Sequence, residues 1–133
     1  MKKLVFASVV VAAATVANVG NAADAGSIAG RWAGTVTESR GANEPYVYTV
    51  YLDIMPSEKS GMVQYLRYPC GAKLSFASNS ADGATFDERL YFGQTLCLDN
   101  LKATVARISS DEVQFQELVN GSPNVTGKLR RLH

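Results

Sequence analysis

Residues 46–54 read Tyr46-Val47-Tyr48-Thr49-Val50-Tyr51-Leu52-Asp53-Ile54, and this stretch decides the fold. Tyr46, Tyr48, Val50, Leu52 and Ile54 fall on every second position, the period of a strand rather than the 3.6-residue period of a helix. β-Branched and aromatic side chains dominate it, as a pleated, half-buried surface favours. Turn-forming segments bound it, Arg40–Pro45 (RGANEP) before and Met55–Ser60 (MPSEKS) after.

The same period recurs outward from this strand. Ile28–Glu38 precedes it, with Trp32 and Val36 on one face. Gly61–Tyr68 and Cys70–Ser78 follow as a third and fourth strand, the latter aligning Cys70, Ala72, Leu74 and Phe76. Beyond the Asn79–Gly83 turn, Ala84–Phe92 keeps Phe86, Leu90 and Phe92 in step. A sixth strand is centred on Leu101–Ile108, a seventh spans Glu112–Val119, and an eighth, Val125–Leu132, follows the Asn120–Asn124 turn. No segment has the pattern of an amphipathic helix. The expected fold is all-β, an antiparallel meander of about eight strands whose sequential neighbours pair. Such a sheet hides its edges by closing into a lipocalin-like β-barrel, and a two-layer sandwich of the same strands is the alternative. Eight strands enclose little beyond their own side chains, so the inward Tyr, Phe and Leu residues predict a filled interior.

The first residues, MKKLVFASVVVAAATVANVGNAADA, have the three parts of a secretory signal peptide: Lys2 and Lys3, an apolar run, and small residues before a cut after Ala22. The apolar run is shorter than the roughly 20 residues of a membrane span, so no stable membrane anchor is expected. Residues 1–22 are therefore read as the signal peptide, 23–27 as a flexible leader and 28–133 as one domain, periplasmic or secreted. Without Lys2 and Lys3 the 13 basic residues become 11 against 12 acidic ones. That balance favours neither nucleic acid nor an anionic membrane.

Two cysteines, Cys70 and Cys97, remain to be read. A nucleophilic thiol needs a base or a depressed pKa, and the one histidine, His133, is the last residue. Two thiols and a terminal imidazole are too few for structural zinc, and no other cofactor is called for. In an exported chain the pair reads as one disulfide. If strands four, five and six run up, down and up, both cysteines lie at one end of the sheet. Pro69 and Gly71 then make the corner that aims Cys70.

The order G-R-W-A-G (Gly30–Gly34), Y-V-Y-T-V-Y-L (Tyr46–Leu52), G-M-V-Q-Y-L-R-Y-P-C-G-A-K-L (Gly61–Leu74), F-D-E-R-L (Phe86–Leu90), Cys97 and G-K-L-R-R (Gly127–Arg131) resembles a small extracytoplasmic all-β domain of bacteria. That domain occurs as stand-alone secreted proteins and appended to some Ser/Thr kinases and proteases. The resemblance implies a compact β domain with paired cysteines, and no activity. The G-x-W opening is also similar to the first strand of lipocalin-type barrels.

Glu88 stands between Phe86 and Leu90 on the face expected to point inward. A buried carboxylate must be paired or protonated. Arg31, Arg67 and Arg131 are its candidate partners; a recognition point in a barrel mouth, a structural ion pair, and a bulge that turns Glu88 outward are the three readings. Glu117 holds a similar position in strand seven. Trp32 is expected to close one end of the barrel. Tyr51 and Tyr91 are expected on the outside, where tyrosine clusters suit partner interfaces. Lys128, Arg130 and Arg131 form a basic last strand, read as a solvated edge or an anion contact. The functional expectation is a non-catalytic binding module, not an enzyme, because the sequence offers no nucleophile–base constellation and no metal set, acting as a monomer on an unidentified protein or cell-envelope glycan. An inhibitor of a secreted lysozyme-type hydrolase and a small-ligand carrier are the alternatives.

Overall fold

The computed structural model describes residues 27–66 and 69–133. The expected signal peptide and all of the leader except Ser27 lie outside them, as do Arg67 and Tyr68. Eight strands follow in chain order: β1 (Gly30–Arg40), β2 (Asn43–Ile54), β3 (Ser60–Tyr65), β4 (Cys70–Ser80), β5 (Gly83–Phe92), β6 (Leu101–Ser109), β7 (Glu112–Val119) and β8 (Ser122–Arg131). Each pairs antiparallel with the next, and β8 pairs back onto β1 through Trp32↔Arg131, Val36↔Gly127 and Glu38↔Val125. That last ladder makes the sheet a closed barrel and removes the sandwich alternative.

Several turns are tighter than their composition suggests. The Arg40–Pro45 segment turns only at Gly41 and Ala42, because Arg40 already pairs with Asn43. The Asn120–Asn124 segment turns at Asn120 and Gly121, both with positive φ (51° and 79°), which is the type I′ geometry that matches strand twist. Pro123 is thus inside β8, beside a register shift on β7; a bulge is where a strand tolerates the missing N–H. The basic residues of β8 accordingly lie on a strand paired on both sides, not on an edge.

The interior is filled over most of its length. Trp32, Phe86, Phe115, Leu52, Ile54, Leu74 and Leu129 are fully buried, in the alternation the sequence shows. Phe92 departs from it. Gly71 pairs with Phe92 while Ala72 pairs with Leu90, so β5 carries one extra residue at Tyr91. The bulge turns the Phe92 ring onto the outer wall, where it meets Tyr91 edge-on at 4.8 Å.

The two ends of the barrel differ. At the end where β1 begins and β8 finishes, Trp32 lies under the Arg131 guanidinium, 4.1 Å from the ring centroid, and its indole N–H donates to the Ile28 carbonyl at 2.9 Å. Trp32 closes this end, as expected. At the opposite end are the β1–β2 and β7–β8 hairpins, the β3–β4 corner and the longer β5–β6 connection, residues 93–100. The Cys70–Cys97 disulfide lies there, with Cα atoms 6.5 Å apart, tying that connection to the first residue of β4. Closing a loop of this length stabilises by about 3.5 kcal/mol in the chain-entropy account. The bond is compatible with an oxidising, extracytoplasmic location.

Candidate functional site

The disulfide-bearing mouth holds the polar groups. β1 continues its inward alternation past Trp32 and Val36 to Glu38. β3 ends inward at Tyr65, β5 places Glu88 between Phe86 and Leu90, and β7 places Glu117 two residues beyond Phe115. Register sets their spacing around the wall. Val125 of β8 faces Glu38 on one side and Glu117 on the other. On β6, Leu101 faces Glu88 and the nearby Ala103 faces Glu117. Glu38, Tyr65, Glu88 and Glu117 therefore come from the four odd-numbered strands, each separated from the next by an even-numbered one. Neighbouring strands are about 4.8 Å apart, so the ring encloses space rather than collapsing into one cluster.

That space is a cavity of about 140 Å³. Its walls are Glu38, Tyr48, Tyr65, Glu88, Glu117 and Asn124. Leu96, Cys97 and Leu98 of the β5–β6 connection reach over it, and Leu90 supplies apolar wall below. The filled interior expected from the sequence thus gives way at this mouth to a polar pocket. Leu96 and Leu98 are largely exposed, leaving an apolar rim around an acidic interior.

The connection is held firmly over the cavity. Asp99 accepts hydrogen bonds from the backbone N–H groups of Leu90 (2.8 Å) and Asn100 (2.7 Å), which hold its carboxyl below the usual range. Gly93, at φ +83°, lets the chain pass against the corner: a Cβ there would stand 2.5 Å from the Pro69 carbonyl oxygen and 2.9 Å from Cys70 Cα. Gly71 allows a different approach. Its missing side chain leaves room for the Phe92 ring and the Tyr91 hydroxyl, so it accommodates side chains of β5 rather than a bend of its own strand.

Glu88 points inward and is 2% exposed. Its Oε1 accepts a 2.8 Å hydrogen bond from the Tyr65 hydroxyl. Its Oε2 has no hydrogen-bond partner among the described residues, and the same holds for Glu38 Oε2. Burial, with the Glu117 charge adding to it, pushes Glu88 up to about 8 against the pull of the Tyr65 hydrogen bond. Burial also raises Glu117, against the pull of the Tyr65 hydroxyl and of the neighbouring Glu88 carboxyl and with Glu38 adding to the rise. Tyr65 is pushed far up by burial and by both glutamates, so it stays a neutral donor.

Two of the three arginines expected to pair with Glu88 go elsewhere. Arg31 lies outside the barrel, its side chain 77% exposed and 3.9 Å from Asp53. Arg131 is at the far end, donating to the carbonyls of Ala29 (2.7 Å), Ser27 (3.2 Å) and Ser110 (2.8 Å) while covering Trp32. Arg67 is outside the described residues. Among the described residues the partner of Glu88 is a tyrosine: the Tyr65 contact displaces the outward bulge, and Arg31 and Arg131 make no ion pair with Glu88. Tyr65 and Glu38 were legible only as continuations of the inward alternation of their strands.

The other tyrosine expectation concerns the outer wall. Tyr51 and Tyr91 are 44% and 46% exposed, and with Met62 and Gln64 they line one groove across β2, β3 and β5. The groove is separate from the mouth cavity, and Glu88 does not contribute to it.

Among the described residues no helix is long and apolar enough to cross a membrane, which leaves the strands of the barrel unaddressed. Comparison with family models, with curated proteins and with solved structures found no match for this chain. The class that the fold defines is the closed eight-stranded antiparallel barrel with one disulfide. Any function must be argued from its site.

Proposed function

We propose that this protein is a non-catalytic extracytoplasmic binding module, periplasmic or secreted, that holds a small ligand in the disulfide-bearing mouth of its barrel. One observation carries the reading: Glu88 is almost wholly buried, yet one of its carboxyl oxygens faces a cavity of about 140 Å³ with no partner among the described residues. Leaving a buried polar atom unpaired costs on the order of 1–3 kcal/mol. A ligand that satisfies it recovers that cost. The non-catalytic part of the reading rests on the disulfide, which removes both thiols as nucleophiles, and on His133, which lies at the chain end 3.6 Å from Asp111. Two-dimensional NMR of the full chain with a set of small polar fragments tests it. Shifts concentrated at Tyr65, Glu88 and Leu98 are expected; a set that moves only residues of the outer wall rejects the mouth as the site.

A second reading has its own observation. Tyr51, Met62 and Tyr91 form an exposed groove bordered by Gln64, Asp53 and Arg31, a pattern of ring faces and hydrogen-bonding groups suited to a cell-envelope glycan. Retention on immobilised peptidoglycan, lost in Tyr51→Ala and Tyr91→Ala and kept in Glu88→Gln, supports this reading. Retention unaffected by either tyrosine change rejects it.

A further inference from the structure

We propose that the mouth cavity takes a small organic cation, a protonated amine of about six non-hydrogen atoms, with its charge among Glu38, Glu88 and Glu117 and its hydrocarbon against Leu90, Leu96 and Leu98. This inference rests on the mouth being the ligand site and adds the chemistry of the ligand.

Size comes first. A cavity near 150 Å³ holds a molecule the size of benzene. The mouth, at about 140 Å³, therefore suits a ligand of that order and excludes a sugar or a peptide from its interior.

Charge comes second. Three carboxyl groups line the cavity, the described wall carries no cationic side chain, and two of the carboxyl oxygens lack a partner among the described residues. An anion would meet carboxyl groups and no cationic side chain of the described wall. A neutral donor could satisfy one oxygen and would bring no counter-charge to the carboxyl groups. A cation answers both, because each carboxylate offsets its desolvation and it offsets theirs. Partial enclosure keeps salt from screening these contacts as it does on an open surface.

A bare metal ion does not fit. Calcium requires six to eight oxygens at 2.3–2.6 Å. Glu38, Glu88 and Glu117 come from alternate strands, and among the described residues no three acidic, histidine or cysteine groups converge closely enough to hold a metal. An ammonium group on a hydrocarbon spans such a ring better, with the N–H donors toward the wall. The apolar rim of Leu96 and Leu98 meets the rest of the molecule.

Binding then carries a proton step. The titratable groups facing Glu88 are Glu38 on β1, Tyr48 on β2, Tyr65 on β3, Glu117 on β7 and Asp99 on the β5–β6 connection. No cation among them holds Glu88 ionised, and its carboxyl keeps its proton near neutrality. An arriving ammonium stabilises the carboxylate, so the Glu88 O–H bond breaks heterolytically. The electron pair stays on the carboxylate and the proton leaves to buffer. The ammonium keeps all of its own protons.

Calorimetry of the full chain at neutral pH tests this with cyclopentylammonium and its neutral isostere cyclopentanol, in two buffers of different ionisation enthalpy. The expected result is at least about tenfold tighter binding of the ammonium, a buffer-dependent heat that reports proton release, and loss of that release in Glu88→Gln. Glu117→Gln, measured beside it, should weaken the ammonium more than it weakens cyclopentanol. Equal affinity for the two probes, with both shifting mouth resonances in NMR, overturns the cation inference while leaving the mouth as a ligand site. No binding of either probe at millimolar concentration overturns both. Ammonium binding without proton release, or undiminished in both variants, also overturns the inference.

Discussion

Tyr65 and Glu88 meet inside the barrel mouth, the tyrosine hydroxyl donating to the carboxyl at 2.8 Å with both side chains buried. They are 23 residues apart in the chain and lie on strands that do not pair, β3 and β5. The contact crosses the interior, over β4. It anchors the polar ring of the mouth and sets how the fold should respond to pH.

Replacing Tyr65 by Phe removes this donor and leaves both oxygens of Glu88 unpaired. The hydrogen bond favours the ionised carboxylate, so its loss should raise the Glu88 pKa further above about 8. Carbon-detected NMR titration of the Glu88 carboxyl reads the shift. Denaturant unfolding should show a loss of about 1–3 kcal/mol. A Glu88 titration unchanged in Tyr65→Phe would show that the hydroxyl does not act on the carboxyl in solution.

Stability should fall as pH rises through the range set by Glu88. Its folded pKa, about 8, is above the 4.5 of the free side chain. Between those values the folded protein holds a proton that the unfolded chain has released, and the slope of unfolding free energy against pH is negative. The contribution is fully present below the unfolded pKa and is lost as pH passes the folded one. The raised Glu117 pKa acts in the same direction. Glu88→Gln should flatten the slope and unfold at higher urea than the parent above pH 8, by about 1–3 kcal/mol. Parallel pH profiles for the two proteins would refute the assignment.

Gly93→Ala and Gly121→Ala separate two costs. Both glycines have positive φ, +83° and +79°, so both substitutions strain the backbone. At Gly121 an added Cβ meets nothing within 4 Å, whereas at Gly93 it meets the Pro69 carbonyl and Cys70 Cα, which are backbone atoms and cannot swing aside. Gly121→Ala should cost about 1 kcal/mol and Gly93→Ala at least about twice that. Gly93→Ala should also slow closure of the Cys70–Cys97 bond in oxidative refolding, followed by thiol titration. Equal costs would mean that the connection does not press on the corner.

At the opposite end, Arg131 and Arg31 make a matched pair of tests. Arg131 covers Trp32 at 4.1 Å and donates to three carbonyls, those of Ser27 and Ala29 just before β1 and that of Ser110 in the β6–β7 turn. Arg31 makes one exposed contact at 3.9 Å. Arg131→Ala should lose about 1–3 kcal/mol and change the Trp32 fluorescence. Arg31→Ala should stay within about 0.5 kcal/mol of the parent. Similar values for both would remove the special role of the Trp32 cover.

Much of the architecture is legible in the chain because strands have a short, local rule. Alternation in residues 46–54 and its echoes places all eight strands, and it sets Trp32, Val36, Phe86 and Glu88 inward. The two cysteines, expected to pair because the chain reads as exported, meet at one end of the sheet as that up-and-down order requires. The alternation failed at Phe92, where one added residue in β5 reversed the facing of what came after it. Nothing local marks that bulge, since it depends on the rings of Tyr91 and Phe92 finding space over Gly71 on the next strand.

The sequence by itself determined which residues face inward, because facing depends on parity within one strand. Only the tertiary structure decided which inward residues meet. Closure of β8 onto β1 and the offsets between neighbouring ladders put Glu38, Tyr65, Glu88 and Glu117 at one mouth and sent Arg131 to the other. Those offsets accumulate around the whole barrel, so no single segment contains them. Glu88 could be read as buried from its neighbours in the chain; that its partner is a tyrosine, beside an open acidic cavity, is a property of the closed sheet.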